Sequence, residues 1–129
     1  MILLLDTHAL LWWVADDARL GLKARVLIAD PANRVLVSIV SLWEIAVKAR
    51  IGKLRADVDA ISHAADADGM EHLALTTEHL RALQALPLHH RDPFDHALVA
   101  QALTEGATLI SECRWMASYG VAVVPCDAI

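Results

Sequence analysis

Four acidic side chains stand where chemistry on a phosphate would need them. Asp6 directly follows an apolar run, Glu44 sits early in a helical segment, and Asp92 and Asp95 open another. Clustered carboxylates repel one another and stay ionised together only beside a cation. Hard oxygen donors of this kind suit Mg²⁺ or Mn²⁺. Such an ion can activate water and stabilise the charge of a phosphodiester under attack, without a nucleophilic Ser or Cys. Each acid also has a purely structural reading. Asp6 and Asp92 can be N-caps, Glu44 the capping-box partner of Ser41, and Asp95 a first-turn acid favoured by the helix dipole. Spacing alone leaves both readings open.

The elements that must position these acids alternate along the chain. Met1–Leu5 reads as a buried parallel strand, and Asp6-Thr7 opens a helix over Ala9–Ala15. A helix over Lys23–Ala29 stops at Asp30-Pro31, before a β-rich strand at Arg34–Ser38. Ser41 is expected to cap a helix running to Arg50 and ending near Gly52. Val58–Asp68 reads as a helix and Glu71–Leu75 as a short strand. Thr77 is expected to cap a helix over Glu78–Ala85, and Leu86–Arg91 is a loop. Asp92-Pro93 starts a helix to Glu105 that Gly106 ends. Thr108–Ser111, Arg114–Tyr119 and Val121–Val124 read as strand, short helix and strand. Strands alternating with helices imply α/β architecture with a parallel sheet covered on both faces. Open sheets of that kind bind ligands beyond the carboxyl ends of their strands, and Asp6, Glu44 and the Asp92/Asp95 pair all approach that edge.

The chain has 129 residues, enough for one domain with its own core, here expected over 1–129. Its 57% hydrophobic content is high, which leaves apolar surface for a partner. A net charge of −5 gives no general attraction to nucleic acid, so RNA binding would need a local basic patch or bound metal. Lys48, Arg50, Lys53 and Arg55 form such a patch, or equally a solvated helix end. Two cysteines, Cys113 and Cys126, make no disulfide framework and point to a reduced, cytoplasmic setting. The apolar start lacks a basic flank and carries Asp6 and His8, so it reads as neither an export signal nor a membrane span.

Three segments resemble the PIN-domain family, and within it toxins of the VapC type. They are LLLDTHALLWW at 3–13, SLWEIAVKARIGKL at 41–54 and LPLHHRDPFDHALVAQAL at 86–103, with GATLIS at 106–111 extending the likeness. Three motifs in the right order and spacing are far more specific than any one. The resemblance implies a three-layer α/β/α sandwich around a mostly parallel sheet of about four to five strands. It implies Mg²⁺- or Mn²⁺-dependent endoribonuclease activity leaving a 5′-phosphate and a 3′-hydroxyl, a homodimer, and neutralisation by a cognate antitoxin. Carried over, Asp6, Glu44 and Asp95 match the family's first three acids and its metal ligands. Asp92 is an additional acid at the same site.

The chain departs from the family where a Thr-x-Asp normally follows the fourth strand. Ser111-Glu112-Cys113 stands there, so Cys113 replaces the fourth acid. A thiol is a poor ligand for Mg²⁺. Ser111 and Glu112 are the accessory candidates at this place. Arg91 and Arg114 flank the acidic motif, to hold a phosphate or, in the free protein, to pair with carboxylates. His89, His90 and His96 surround it, but the oxygen-rich setting argues against zinc. His8 reads as a packed helix residue, and Trp12, Trp13 and Trp43 as core or groove. Two other readings compete with the nuclease. One is a PIN domain that binds RNA or antitoxin without cutting. The other is an aspartyl phosphatase, which would want an acid where His8 stands.

Overall fold

The computed structural model describes residues 1–89 and 91–129. His90 and the side chain of Arg114 lie outside the described residues. Five strands form one sheet in the order β3-β2-β1-β4-β5: β1 Ile2–Leu5, β2 Arg34–Ser38, β3 Glu71–Leu73, β4 Thr108–Ser111 and β5 Val123–Pro125. Every neighbouring pair is parallel, with Leu5 opposite both Val37 and Ile110. The chain first winds outward from β1 to β3 and then returns to the other side of β1. The gap between β1 and β4 is therefore the switch point of the sheet, and Asp6 leaves β1 there.

Burial on both faces explains why β1, β2 and β4 read as continuous apolar runs rather than alternating ones. Leu3, Leu5, Val35 and Val37 face one core, where they meet Ala9, Leu10, Ala24, Ile28, Ile61 and Ala65. Those residues belong to the helices α1 (Thr7–Val14), α2 (Leu22–Ala29) and α4 (Val58–Ala67). Leu4, Leu36 and Leu109 face the other core, against Leu98, Val99 and Ala102 of α6 (Pro93–Glu105). Helix α5 (Thr77–Ala85) lies against α6, and α3 (Ile39–Arg50) crosses the carboxyl edge and contributes to both cores through Ile45 and Val40. A 3₁₀ helix at Arg114–Tyr119 joins β4 to β5. The expected three-layer fold is present.

Several boundaries differ from the sequence reading, and at three helices the start is set by a side-chain cap. Helix α1 begins at Thr7 because the Asp6 side chain accepts the Ala9 N–H. The cap of α3 is Ser38, not Ser41: the Ser38 hydroxyl accepts the Val40 N–H, which places Ser41 inside the helix. Among the described residues the buried Ser41 hydroxyl has no hydrogen-bond partner. Thr76 rather than Thr77 caps α5, in a reciprocal box with His79. Helix α2 begins at Leu22, β3 stops at Leu73, and β5 starts at Val123. Gly106 closes α6 as expected, with φ of 66°, a left-handed conformation that a side chain would strain. Among the described residues no helix is long and apolar enough to cross a membrane.

Candidate active site

Asp6 is both a cap and a site residue. One carboxylate oxygen accepts the Ala9 N–H at 2.8 Å. The other accepts the Ser111 hydroxyl at 2.8 Å and the Glu112 N–H at 3.2 Å. The structure is able to supply three donors because β1 and β4 are adjacent and end at the same edge. Burial pushes the Asp6 carboxyl above its usual range, and those three hydrogen bonds oppose the shift. Ser111 thus acts on Asp6 as a hydroxyl donor, and its own oxygen accepts the Cys113 N–H at 3.0 Å.

Glu44 is buried in the second turn of α3, away from the cap, so its capping-box reading falls. Its carboxylate accepts the Thr7 hydroxyl at 2.6 Å and pairs with the Lys48 ammonium at 2.5 Å, one turn on along the same helix. That bond to Glu44 raises the Lys48 ammonium above its usual value. Asp92 caps α6 by accepting the Phe94 and Asp95 N–H groups, with Pro93 at the first helical position. Asp95, the third residue of α6, has its carboxyl pushed up to about 8. Burial is the main cause, and the negative charges of Asp92, Asp6 and Glu44 add to it.

Three segments distant in sequence therefore place Asp6, Glu44, Asp92 and Asp95 around one cavity of about 80 Å³, with Glu112 and Cys113 at its wall. One ammonium, Lys48, faces this charge from within the cavity. Cys113 does not add to the negative charge, because burial and then the nearby acids push its thiol up to about 12. Glu112 lines the cavity, and its carboxylate is engaged by the His8 ring at 2.7 Å. As the side chains stand, no three His, Cys, Asp or Glu groups among the described residues are placed to hold a metal ion.

The remaining candidates are spread more widely. Lys53 lines an adjoining hollow, while Arg50 is exposed at the end of α3. Arg91 is exposed beside Leu88, His89 and His96 and has no carboxylate partner among the described residues, so the expected pairing is not formed there. The corresponding expectations for Arg114 and His90 fall on groups outside the described residues. His89 and His96 both pack against Tyr119. Trp12 is buried and Trp13 half-buried, the latter donating to Asp68, but Trp43 is 55% exposed. Two features escaped the sequence reading. Thr7 binds Glu44, and a buried network joins Ser38 to Gln101, and Gln101 to His79. Neither has a local signature, since the partners are 37, 63 and 22 residues apart.

A profile of the PIN domain matches residues 3–112. The chain belongs to the PIN domain family. This PIN domain is 27% identical over 118 residues to Ribonuclease VapC22 of Mycobacterium tuberculosis, with 90% of each chain covered. In fold it is similar to the crystal structure of VapBC2 from Rickettsia felis bound to a DNA fragment from their promoter. The TM-score is 0.72 at 15% identity, covering 97% of this chain and 98% of that one. It is also similar to VapC20 of Mycobacterium tuberculosis, a sarcin–ricin loop cleaving toxin. There the TM-score is 0.62 at 21% identity, over 95% and 98% of the two chains. The likeness extends across the sheet and the helices that carry the acid cavity.

Proposed function

We propose that this PIN domain is the toxin of a toxin–antitoxin pair, a divalent-metal-dependent endoribonuclease cutting RNA to a 5′-phosphate and a 3′-hydroxyl. The observation that carries the reading is the convergence of Asp6, Glu44, Asp92 and Asp95 on one cavity at the switch point of the sheet. The relationship to Ribonuclease VapC22 supports it independently.

The donor set fits Mg²⁺ or Mn²⁺. It is all carboxylate oxygen, and its charge exceeds what Lys48 offsets, which adds to the rise that burial gives the Asp95 carboxyl. Asp6, Glu44 and Asp95 would hold the ion and Asp92 would support Asp95, with the carboxylates closing in from their present positions. Bound there, the ion would neutralise the cluster, stabilise the phosphoryl charge and activate water for attack. The chain's own residues prepare the place. Ser111 and two backbone N–H groups fix Asp6, and Thr7 fixes Glu44. Lys48 balances the charge of Glu44 in the free protein and, from the same position, faces an incoming phosphate.

For partners we propose an antitoxin, structured RNA and a second copy of the chain. Likeness to VapBC structures supports the first. An exposed apolar stripe at Ile39, Trp43, Val47 and Ile51, one turn apart along α3, supports the last. Two free thiols accord with a reducing cytoplasm.

Cys113 in place of the fourth acid favours a second reading, in which the domain binds RNA without cutting it. Purified chain incubated with a structured RNA pool separates the two, with Mg²⁺, Mn²⁺ or chelator present. Metal-dependent cuts that Asp6→Asn reduces by about a hundredfold or more establish the nuclease. A folded wild type that leaves RNA intact, with cutting gained by Cys113→Asp, moves the function to binding.

A further inference from the structure

Beside the acid cavity lies a second hollow of about 270 Å³, lined by Thr7, His8, Leu11, Lys48, Lys53 and Leu54. Thr7, His8 and Lys48 line both spaces, so the two share a wall. In a chain of net charge −5, an RNA strand meets cations only where the surface places them locally. Two candidates in the hollow are already engaged, Lys48 by Glu44 and His8 by Glu112. Lys53 is exposed and has no carboxylate partner among the described residues. Its place is nevertheless set by the backbone. The Lys53 N–H donates to the Lys48 carbonyl at 2.9 Å, across a turn in which Gly52 takes φ of 76°. That turn ends the helix bearing Glu44, so the Lys53 backbone is anchored beside the acid cavity. Leu11 and Leu54 pack on the core behind it and give the hollow an apolar floor.

A scissile phosphate at the acids obliges the neighbouring phosphate to pass over one wall of the cavity. On the Glu112 side the adjoining hollow holds Trp12, Arg19 and Asp127. There Arg19 is bound through two guanidinium nitrogens to Asp17, and two more carboxylates line the space. An incoming phosphate there meets carboxylates and a guanidinium that is already paired. On the Lys48 side it meets an available point charge.

We propose that the Lys53 hollow is a nucleotide subsite, in which Lys53 binds the RNA phosphate next to the scissile one and Leu11 and Leu54 support its ribose. This rests on the ribonuclease reading above. The test is binding of a fluorescently labelled structured RNA by the full chain carrying Asp6→Asn, in Mg²⁺ over a range of salt concentrations. Lys53→Gln should weaken binding about three- to tenfold and reduce the slope of log K against log salt by about 0.7 to 0.9. Lys53→Arg should retain affinity, and Arg81→Gln, exposed on α5 outside the hollow, should stay within about twofold of the parent. In the cutting-competent chain Lys53→Gln should raise KM and leave kcat nearly unchanged. Unchanged RNA affinity of Lys53→Gln overturns the subsite, and so does an equal loss in Arg81→Gln, which would mean diffuse charge. A loss confined to antitoxin binding would make the hollow a peptide site and also overturns it. If the wild type neither binds nor cuts RNA, the ribonuclease reading falls and takes the subsite with it. Cutting by the wild type with an indifferent Lys53→Gln overturns the subsite alone.

Discussion

Asp6 shows how one carboxylate can serve fold and chemistry together. A buried acid is tolerable only when its oxygens are bonded, and three donors converge on this one. Ser111 is the donor that mutation removes most cleanly. Ser111→Ala leaves the cap intact and strips a hydroxyl from a buried carboxylate, at an expected cost of about 1–3 kcal/mol. Urea unfolding of the metal-free protein measures that cost, and RNA cleavage should fall as Asp6 loses its orientation. Glu44 was the hardest acid to read. Its distance from Ser41 matched a capping box, but the backbone places the cap at Ser38 and turns Glu44 inward to Thr7. Cys113 and Glu112 differ in what they bring to the site. The thiol is on the cavity wall but stays neutral, and the adjacent acid is engaged by His8.

At the scale of elements, the site depends on where helices start. Ser38 ends β2, caps α3 and donates to the buried Gln101 of α6, so one hydroxyl links the helix of Glu44 to the helix of Asp95. Ser38→Ala should therefore cost more than an ordinary cap, about 2–3 kcal/mol, because Gln101 is left short of a partner. Comparison with Thr76→Ala, the cap of α5, is the control. A Ser38→Ala loss no larger than that would show the Gln101 link to be idle. The element order itself was legible from caps and turn residues: Asp92-Pro93 opens α6 and Gly106 closes it, as local chemistry requires. Helix starts drifted by one to three residues, because several hydroxyls competed locally as caps and tertiary contacts selected among them.

For the whole molecule, the acid cavity is a source of instability that a cation held there would relieve. The Asp95 carboxyl is raised from 3.8 to about 8, so the folded state holds a proton more tightly than the unfolded chain does. Folding stability of the metal-free protein should therefore fall as pH rises from about 4 to about 8, and level off above that range. Thermal unfolding in chelator tests the sign. Asp95→Asn should flatten the profile, and Mg²⁺ or Mn²⁺ should raise the midpoint most at the alkaline end. A midpoint that climbs with pH in chelator would refute the account. The α3 stripe gives a separate expectation. Light scattering should find a dimer for the wild type and a monomer for Trp43→Glu, since a charge in place of an exposed indole opposes burial of that face.

What the residues determined by themselves was the α/β alternation, the parallel buried strands and the identity of the acids. Apolar runs of strand length, capping residues and carboxylates after strand ends are local signals, written in neighbouring positions. The three motifs added the family. Tertiary structure decided which acids meet, because parallel pairing of β1 with β2 and β4 brings positions about a hundred residues apart to one edge. It also decided what binds each acid. Thr7 on Glu44, Ser111 on Asp6, His8 on Glu112 and the carboxylates that raise Asp95 are contacts through space. Electrostatic environment is a sum over neighbours, and neighbours across a sheet edge exist only once the chain has folded.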